Sequence, residues 1–187
     1  MAAAPRRVLV IGCIHGDETA GLPFAEDLLR DPARLNVELV VVPDLNPDGV
    51  AAHSRQNAHH VDLNRNFPYL WRPLGRPGDQ QYAGATALSE PESNAIALLI
   101  EGLRPTVTVW FHQPIGVVDL SGGSAAVERE FARVAGMSVR ELLRYPGSAT
   151  GWQNHTFPGT TAFVVELPRQ VSTVLRQRVL AALRSLE

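Results

Sequence analysis

The fold of this chain is decided by the stretch VLVIGCIHGDE, which runs from Val8 to Glu18. Its leading apolar residues are mostly β-branched, which is typical of a buried central strand in a parallel sheet. Gly12 and Gly16 then allow the backbone to turn sharply, and the residues from Thr19 onward predict a helix. His15 and Glu18 therefore lie where a strand gives way to a helix, which is the functional edge of open α/β sheets.

The pair His15 and Glu18 is a candidate metal site. An imidazole and a carboxylate three residues apart offer two of the three protein ligands that a catalytic zinc site needs. Taken alone the pattern is weak, because isolated His and Glu residues are mostly surface or turn residues. The nearby Cys13 directly follows the apolar strand. We interpret it as a small buried hydrophobe rather than as a third zinc ligand.

Length and composition indicate one globular domain over residues 1–187, of which 45% are hydrophobic. A formal net charge of -2 and the lack of a basic block argue against nucleic-acid or membrane partners. The single cysteine excludes an internal disulfide. No apolar run reaches transmembrane length, and the segment before the first strand is too short for a signal peptide. This predicts a cytoplasmic protein, whereas a longer natural N-terminus would allow export.

The rest of the chain alternates between strand and helix patterns. Strands are predicted at 37–43, 106–112 and 161–166, and helices at 19–30 (stopped by Pro32), 89–102, 125–135 and 171–186. Residues 44–88 form a long polar segment with a turn motif, NPDG, and SEPE at 89–92 predicts a capping box. Residues 136–160 predict a loop with one short helix. We therefore predict a single α/β domain whose mixed, largely parallel sheet is flanked by helices.

Two strand ends supply further groups for a metal site. His112 ends its strand as His15 follows the first one, so both side chains can meet at one edge of the sheet. Glu166 ends an otherwise apolar strand, where an unpaired charge would be costly. A general base that acts on a zinc-bound water gives this carboxylate a function. The structural alternatives are a hydrogen-bonded histidine at a strand end and a salt bridge from Glu166 to an arginine.

The segment DLNRNF, residues 62–67, packs a carboxylate, two amides and a guanidinium into a short stretch. In an ordinary loop it would be a solvated turn. Beside a metal, Asp62 could orient His15 by a hydrogen bond. Asn64 and Arg65 could bind a carboxylate group of the substrate.

These motifs together resemble the zinc carboxypeptidase family of carboxypeptidase A type, and especially its bacterial branch of murein-peptide amidases. Any one motif would be weak, whereas the set is highly specific and follows the family's order over most of the chain. The matching pieces are HGDE at 15–18, NPDG at 46–49, Arg55 with Asn57, VDLNRNFP at 61–68, SEPE at 89–92, FHQP at 111–114 and VELP at 165–168. The resemblance implies a zinc carboxypeptidase-like fold.

The resemblance also implies the function of individual residues. It implies one Zn²⁺ per chain, held by three ligands: His15, Glu18 and His112. Glu166 matches the general base, and Arg55 matches the arginine that polarises the scissile carbonyl and holds the oxyanion. Asn64 and Arg65 match the pair that binds the terminal carboxylate of the substrate. Asp62 matches the hydrogen-bond partner of the first zinc histidine.

The chain departs from the family between His112 and Glu166. Full-size members carry a tyrosine in a mobile loop over the substrate, but this interval is short and Tyr145 is its only tyrosine. We expect Tyr145 to contact substrate rather than to act in catalysis. Its surroundings, residues 145–152, resemble the specificity loop of murein-peptide amidases, where Ser148 is a further candidate for substrate binding. This loop contains no acidic residue, so no simple preference for a terminal Lys or Arg is predicted.

The sequence thus predicts metal-assisted hydrolysis of an amide bond next to a free carboxylate in a small peptide. The resemblance suggests the bond between γ-D-glutamate and diaminopimelate in murein peptides. Alternatives are a general C-terminal carboxypeptidase and a zinc deacylase of the aspartoacylase or succinylglutamate desuccinylase type, although NPDG and VELP favour the peptidase branch. A non-enzymatic peptide-binding module would have lost a ligand or the base, and neither is lost. The oligomeric state is not predicted.

Overall fold

A computed structural model describes residues 6–30 and 37–186. The strands within these ranges are β1 (Arg7–Ile11), β2 (Glu38–Val42), β3 (Val107–His112), β4 (Val117–Asp119), β5 (Ser138–Arg140) and β6 (Thr161–Glu166). They form one sheet in the order β2-β1-β3-β6-β4-β5. The helices are α1 (Leu22–Arg30), α2 (Pro47–Ala52), α3 (Pro91–Leu103), α4 (Ala125–Ala135), α5 (Ala149–Thr156) and α6 (Thr173–Arg184). The predicted α/β domain with a mixed, largely parallel sheet is confirmed.

Parallel pairing brings three strand ends together at one edge. β1 pairs with β3, and β3 pairs with β6, in both cases in parallel. In the second register His112 lies opposite Glu166. β4 then runs antiparallel to β6 and places Val117 opposite Glu166. The sheet therefore gathers the residues that follow β1 and those that end β3 and β6 in one place.

The side chains along β1 alternate between two separate hydrophobic cores. Val8 and Val10 face the core that contains residues of α1, α4 and α6, whereas Leu9 and Ile11 face the core that contains residues of α3 and α5. All four side chains are fully buried. Truncating Leu9 to alanine would cost about 2–5 kcal/mol of stability, as is typical for a buried leucine. This rigid strand carries the loop that begins at Gly12.

Two local predictions were wrong, one in the long polar segment and one directly after it. NPDG does not form a simple turn but opens α2, because Asn46 Oδ1 accepts a hydrogen bond from the backbone N–H of Gly49 at 3.0 Å and Pro47 suits the first helical turn. SEPE does open α3, but without a capping box. The residue before the helix is Glu90, whose side chain caps nothing, and Ser89 instead donates its hydroxyl to Glu90 Oε1 at 2.7 Å.

The sequence also missed short elements. Residues 19–21 form a 3₁₀ turn before α1, and residues 136–160 contain β5 as well as the expected short helix, here α5. β4 and β5 have only three residues each, too few for an apolar periodicity to be recognised. The expected helix stop at Pro32 lies outside the described residues. Within the described ranges, no helix combines the length and the apolarity needed to span a membrane.

Candidate active site

Three predicted ligands converge at the edge of the sheet. His15 Nδ1 lies 3.1 Å from Glu18 Oε2, and His112 Nδ1 lies 2.8 Å from the same oxygen. The two imidazole Nδ1 atoms are 3.1 Å apart. The loop from β1 reaches this geometry by a tight turn in which the Glu18 N–H bonds the His15 carbonyl at 2.9 Å. The structure thus brings together the three residues that the sequence singled out as ligands.

The donor set fits a zinc ion. Ligand atoms at about 2.0–2.2 Å from a tetrahedral zinc are separated by about 3.3 Å, close to the spacing that the three residues show. Two imidazoles and one carboxylate are the ligand types of many catalytic zinc sites, which keep a fourth position for water or substrate. Cys13 is not part of the cluster. Its fully buried thiol donates to the His15 carbonyl at 3.1 Å, which confirms the interpretation as a buried hydrophobe.

Asp62 connects the ligand cluster to Arg55. Its Oδ1 lies 3.0 Å from His15 Nε2, and its Oδ2 accepts a hydrogen bond from Arg55 Nε at 2.9 Å. Burial alone would raise the pKa of Asp62, but the charges of His15 and Arg55 outweigh it and hold the pKa well below its usual range. The carboxylate is therefore ionised and accepts from both partners.

Arg55 also contacts a predicted ligand directly, because its Nη1 donates to Glu18 Oε1 at 2.9 Å. Burial disfavours the charged form of Glu18, yet the two histidines hold the pKa of its carboxyl well below the ordinary value. Glu18 thus has one oxygen toward the imidazoles and the other toward the guanidinium. This arrangement puts a permanent positive charge next to the metal-ligand cluster.

Glu166 occupies the position opposite His112 in the sheet. Its Oε2 is buried and has no hydrogen-bond partner in the described part of the chain. Burial raises the pKa of Glu166, and the nearby charge of Glu18 adds to the increase. Among the described residues no arginine forms an ion pair with Glu166. The structure therefore does not support the alternative of a salt bridge from Glu166 to an arginine. A carboxylate that has one oxygen without a partner beside a metal-ligand cluster is suited to proton transfer.

Arg65 is buried against Tyr145. Its guanidinium carbon lies 4.0 Å from the centre of the tyrosine ring, and its Nη1 donates to the backbone carbonyl of Asn64 at 2.7 Å. Its Nε has no partner among the residues described. Burial lowers the pKa of Arg65, yet an arginine stays charged in proteins. The side chain therefore keeps donor capacity that a carboxylate ligand could use.

The side chain of Asn64 faces the loop that contains Ser148. Its Oδ1 accepts a hydrogen bond from the backbone N–H of Ala149 at 2.9 Å, which fixes the orientation of the amide and of its Nδ2 donor. Residues 145–152 are only partly a loop, because α5 begins at Ala149. The segment with Arg65 and the segment with Tyr145 are thus joined directly.

One cavity of about 190 Å³ contains all the predicted site residues except Asp62, which lies behind His15. The sequence had not identified several of its other lining residues, among them Gln113, Asp119, Leu142, Leu143, Arg144 and Val164. Gln113 could have been found, since it follows His112 directly, and its N–H donates to Glu18 Oε2 at 3.2 Å. In β4, Asp119 follows two apolar residues, much as Glu166 follows the apolar residues of its own strand.

Comparison with known proteins points to the same family as the sequence motifs. A sequence model of the zinc carboxypeptidase family matches residues 2–133. Murein peptide amidase A of Vibrio campbellii is 35% identical over 175 residues, which cover 87% of this chain and 69% of that protein. The Escherichia coli K12 protein of the same name is 33% identical over 129 residues, which cover 63% of this chain and 53% of that protein.

Solved structures show the same fold. The murein-tripeptide amidase from Escherichia coli O157 superimposes with a TM-score of 0.80 at 26% identity and covers 100% of this chain and 82% of that one. Carboxypeptidase A from Helicoverpa armigera gives a TM-score of 0.82 at 18% identity, over 97% of this chain and 59% of that one. The second likeness concerns the fold alone. With the family match over more than half of its length, this chain belongs to the zinc carboxypeptidase family of hydrolases.

Proposed function

We propose that the protein is a zinc-dependent amidase that cleaves an amide bond next to a free carboxylate in a small peptide. One observation carries the proposal. The cluster of His15, Glu18 and His112 shares a cavity with Glu166, whose Oε2 has no hydrogen-bond partner in the described part of the chain, and with the buried guanidinium of Arg65. These are the groups that hydrolysis of a carboxylate-ended amide requires.

One zinc ion per chain would be held by the three clustered residues. When bound there, zinc supplies Lewis-acid activation of water and of the scissile carbonyl. Asp62 fixes the orientation of His15, because its ionised carboxylate accepts from Nε2 at 3.0 Å and leaves Nδ1 free to bind the metal. The same carboxylate holds Arg55 beside Glu18.

Glu166 acts as the general base. It takes a proton from the attacking water and later delivers it to the leaving amine. Burial raises its pKa, which makes it a stronger base than an ordinary glutamate and favours the first transfer, from water. Arg55 stabilises the oxyanion that forms from the scissile carbonyl, a contribution that is often among the largest in such reactions.

Arg65 positions the substrate by its free carboxylate. A guanidinium binds a carboxylate in a bidentate manner, and Tyr145 covers one face of it and keeps it in place. Asn64 accepts from the backbone N–H of Ala149 through Oδ1, and its Nδ2 is the donor that would bind the same carboxylate beside Arg65. This anchoring turns binding energy into orientation of the amide next to the carboxylate.

The substrate that we propose is a murein peptide, cleaved between γ-D-glutamate and diaminopimelate. Supporting this choice are the 33–35% identity to proteins named murein peptide amidase A and the fold shared with a murein-tripeptide amidase. Diaminopimelate has a free carboxylate next to the scissile amide, as the position of Arg65 requires.

The test compares zinc-loaded protein on four kinds of substrate. These are the tripeptide L-Ala-γ-D-Glu-meso-diaminopimelate, peptides that end in Phe, Leu or Lys, N-acetylaspartate and succinylglutamate. We expect the highest kcat/KM for the tripeptide. Faster release of an ordinary C-terminal residue would make the protein a general carboxypeptidase, and hydrolysis of only the acyl amino acids would make it a deacylase.

A further inference from the structure

The SEPE segment, residues 89–92, lies at the start of α3 and is not used by the proposed mechanism. Glu90 directly precedes the helix, and its side chain is only 5% exposed. Burying a carboxylate is costly unless it is paired or hydrogen-bonded. The helix behind it is well anchored, because Ile96 and Ile100 are buried in the same core as Leu9 of β1. Glu90 is therefore a buried charge on a rigid support.

Glu90 receives its hydrogen bonds from the loop that follows Arg55. Its Oε2 accepts from Asn57 Nδ2 at 2.8 Å and lies 2.7 Å from His59 Nδ1. Its Oε1 accepts from the hydroxyl of Ser89 at 2.7 Å. Burial alone would raise the pKa of Glu90, but these hydrogen bonds outweigh it and lower the pKa. The carboxylate is therefore ionised and accepts from all of these neighbours.

Asn57 shapes the turn that joins Arg55 to Asp62. Its Oδ1 accepts from the backbone N–H groups of His59 and Val61, each at 3.1 Å. Its own N–H donates to the carbonyl of Val61, also at 3.1 Å. The turn leads directly into Asp62, whose carboxylate binds Arg55 on the other side of the turn. The position of Asn57 therefore determines how Arg55 and Asp62 meet beside the metal-ligand cluster.

Glu90 is the main partner of the Asn57 amide. Asn57 Nδ2 also lies 3.2 Å from Glu92 Oε2 and 3.3 Å from Glu92 Oε1, but these contacts are longer and less buried than the one with Glu90. An amide nitrogen has two hydrogens, so it can donate to both carboxylates. The side chain of His59 is 68% exposed, so its contact with Glu90 should contribute little.

We propose that Glu90 is a positioning residue, which holds Arg55 and Asp62 in place through Asn57. It thereby keeps the guanidinium of Arg55 where the oxyanion forms, and it keeps the carboxylate of Asp62 where it orients His15. The effect on Arg55 rests on the proposed function. The effect on His15 concerns metal binding alone and does not depend on the substrate.

Glu90 also contacts the segment that contains Arg65, but through its backbone. Its N–H donates to Asn66 Oδ1 at 3.2 Å, and Asn66 directly follows Arg65. Ser93 donates its hydroxyl to the same oxygen. A change of the side chain at position 90 leaves both contacts in place. Loss of the bond between Glu90 and Asn57 should therefore affect the chemical step and zinc binding, but not the binding of the substrate carboxylate.

The first variant breaks this bond with little change of shape. Asn57→Asp keeps an oxygen for the turn but replaces the Nδ2 donor with an oxygen that faces the Glu90 carboxylate. We expect kcat on the murein tripeptide to fall by about 10- to 100-fold, the cost of a small displacement of a catalytic group. KM should stay within about threefold. Zinc affinity, measured with a competing chelator, should fall by about 3- to 10-fold, less than for a direct partner of a metal-bound histidine. Glu90→Ala breaks the same bond from the helix side and should give the same losses.

Two double variants separate positioning from a general loss of stability. Asn57→Asp with Glu90→Gln restores the bond with donor and acceptor exchanged, and it has the same net charge as the wild type. Its kcat and zinc affinity should return to within about threefold of the wild type. In the background of Arg55→Ala, Asn57→Asp should lower kcat no further, because both changes act on the same group. A further loss of kcat in that background would overturn the inference.

His59→Ala is the matched control, because it removes the exposed neighbour of the same Glu90 oxygen and leaves Asn57 in place. It should change neither kcat nor zinc affinity. Unchanged kcat and zinc affinity in folded Asn57→Asp and Glu90→Ala would show that Glu90 positions nothing in the site. A wild type that does not cleave the tripeptide would refute the proposed function. In that case the zinc affinities decide: a loss in Asn57→Asp that the double variant with Glu90→Gln restores supports the positioning of Asp62, and no loss refutes it.

Discussion

Asp62 Oδ1 lies 3.0 Å from Nε2 of His15, and neither side chain is accessible to solvent. An ionised carboxylate can only accept hydrogen bonds, so Nε2 carries a proton and Nδ1 is the atom that faces Glu18 and His112. Asp62 thus determines which nitrogen of His15 can bind a metal. Because it also holds Arg55, it couples the orientation of a metal ligand to that of the neighbouring guanidinium.

Replacing this carboxylate with an amide tests the coupling. Asp62→Asn keeps the size of the side chain. Its amide is neutral and has only one accepting oxygen, so it cannot accept from both His15 and Arg55 as the carboxylate does. We expect zinc affinity to fall by about 10- to 100-fold, as for other partners of metal-bound histidines. Competition with a chromophoric chelator would measure it. Asp48→Asn, at an exposed position of α2, is the control, and equal zinc affinity of the two variants would contradict the assignment.

Removal of a ligand should abolish zinc binding. We expect one zinc per chain in the wild type. In His112→Ala we expect the zinc affinity to fall at least about 100-fold, because only two of the three protein ligands remain. Zinc at 100 times its dissociation constant should stabilise the wild type by about 2.7 kcal/mol and the variant hardly at all. Metal analysis and thermal unfolding measure this. His59→Ala, whose side chain contacts Glu90 and not the ligand cluster, should keep the zinc affinity of the wild type. Full zinc occupancy of His112→Ala at normal affinity would show that His112 is no ligand.

The general base can be separated from the metal ligands. Glu166→Gln should bind zinc and fold normally but lose nearly all turnover, since an amide cannot take the proton from water. Arg55→Ala should lower kcat by about 10²- to 10³-fold if it holds the oxyanion. Both variants are assayed on the murein tripeptide with metal content determined in parallel. Near-normal activity of Glu166→Gln would remove this residue from the mechanism.

The core of this site was predictable because its residues end strong strands. β1, β3 and β6 show continuous apolar runs, and parallel pairing alone brings His15, His112 and Glu166 to one edge. The family resemblance added Arg55, which no periodicity identifies. Its ion pair with Glu18 connects two segments that are distant in sequence, and its ion pair with Asp62 lies within one loop segment.

The place of Asp119 in the lining of the cavity was not predictable in the same way. Asp119 belongs to a strand of three residues that pairs with β6 in the antiparallel direction. Two apolar residues before Asp119 are a much shorter signal than the run before Glu166, and the direction of the strand leaves no pattern, so the sequence did not show that Asp119 faces the site. The helix α2 was missed for a local reason, since the motif NPDG serves equally as a turn and as a capped helix start.

Burial of Cys13 makes a prediction about pH. Desolvation, supported by the charges of Asp44, Glu18 and Asp17, raises the pKa of the thiol to about 12 from 9.0. Raising the pH from 7 to 9 therefore ionises the thiol in unfolded chains but not in folded ones. We expect no alkylation by iodoacetamide at pH 8 under native conditions and complete alkylation in urea, followed by mass spectrometry. Rapid alkylation of the native protein would show that the strand end is open to solvent.

The contact between the Arg65 segment and the loop before α5 can be tested at Gly147. This residue has φ +71°, its N–H donates to the Tyr69 carbonyl at 3.0 Å, and its carbonyl accepts from the Phe67 N–H at 3.0 Å. A Cβ at this position would lie 2.1 Å from the backbone oxygen of Arg65. Gly147→Ala therefore has to push the loop away from Arg65.

We expect Gly147→Ala to lower the free energy of unfolding by about 1–3 kcal/mol, the usual cost of a residue held in a strained backbone conformation. It should also raise KM for the tripeptide more than it lowers kcat, because Arg65 and Tyr145 lose their mutual support while the zinc ligands stay in place. Urea unfolding and steady-state kinetics measure the two effects. Gly102→Ala is the matched control, since its Cβ would meet nothing within 4 Å in α3, and it should add about 1 kcal/mol of stability. If Gly147→Ala left KM unchanged while destabilising the protein, the loop would support the fold without positioning Arg65 for substrate.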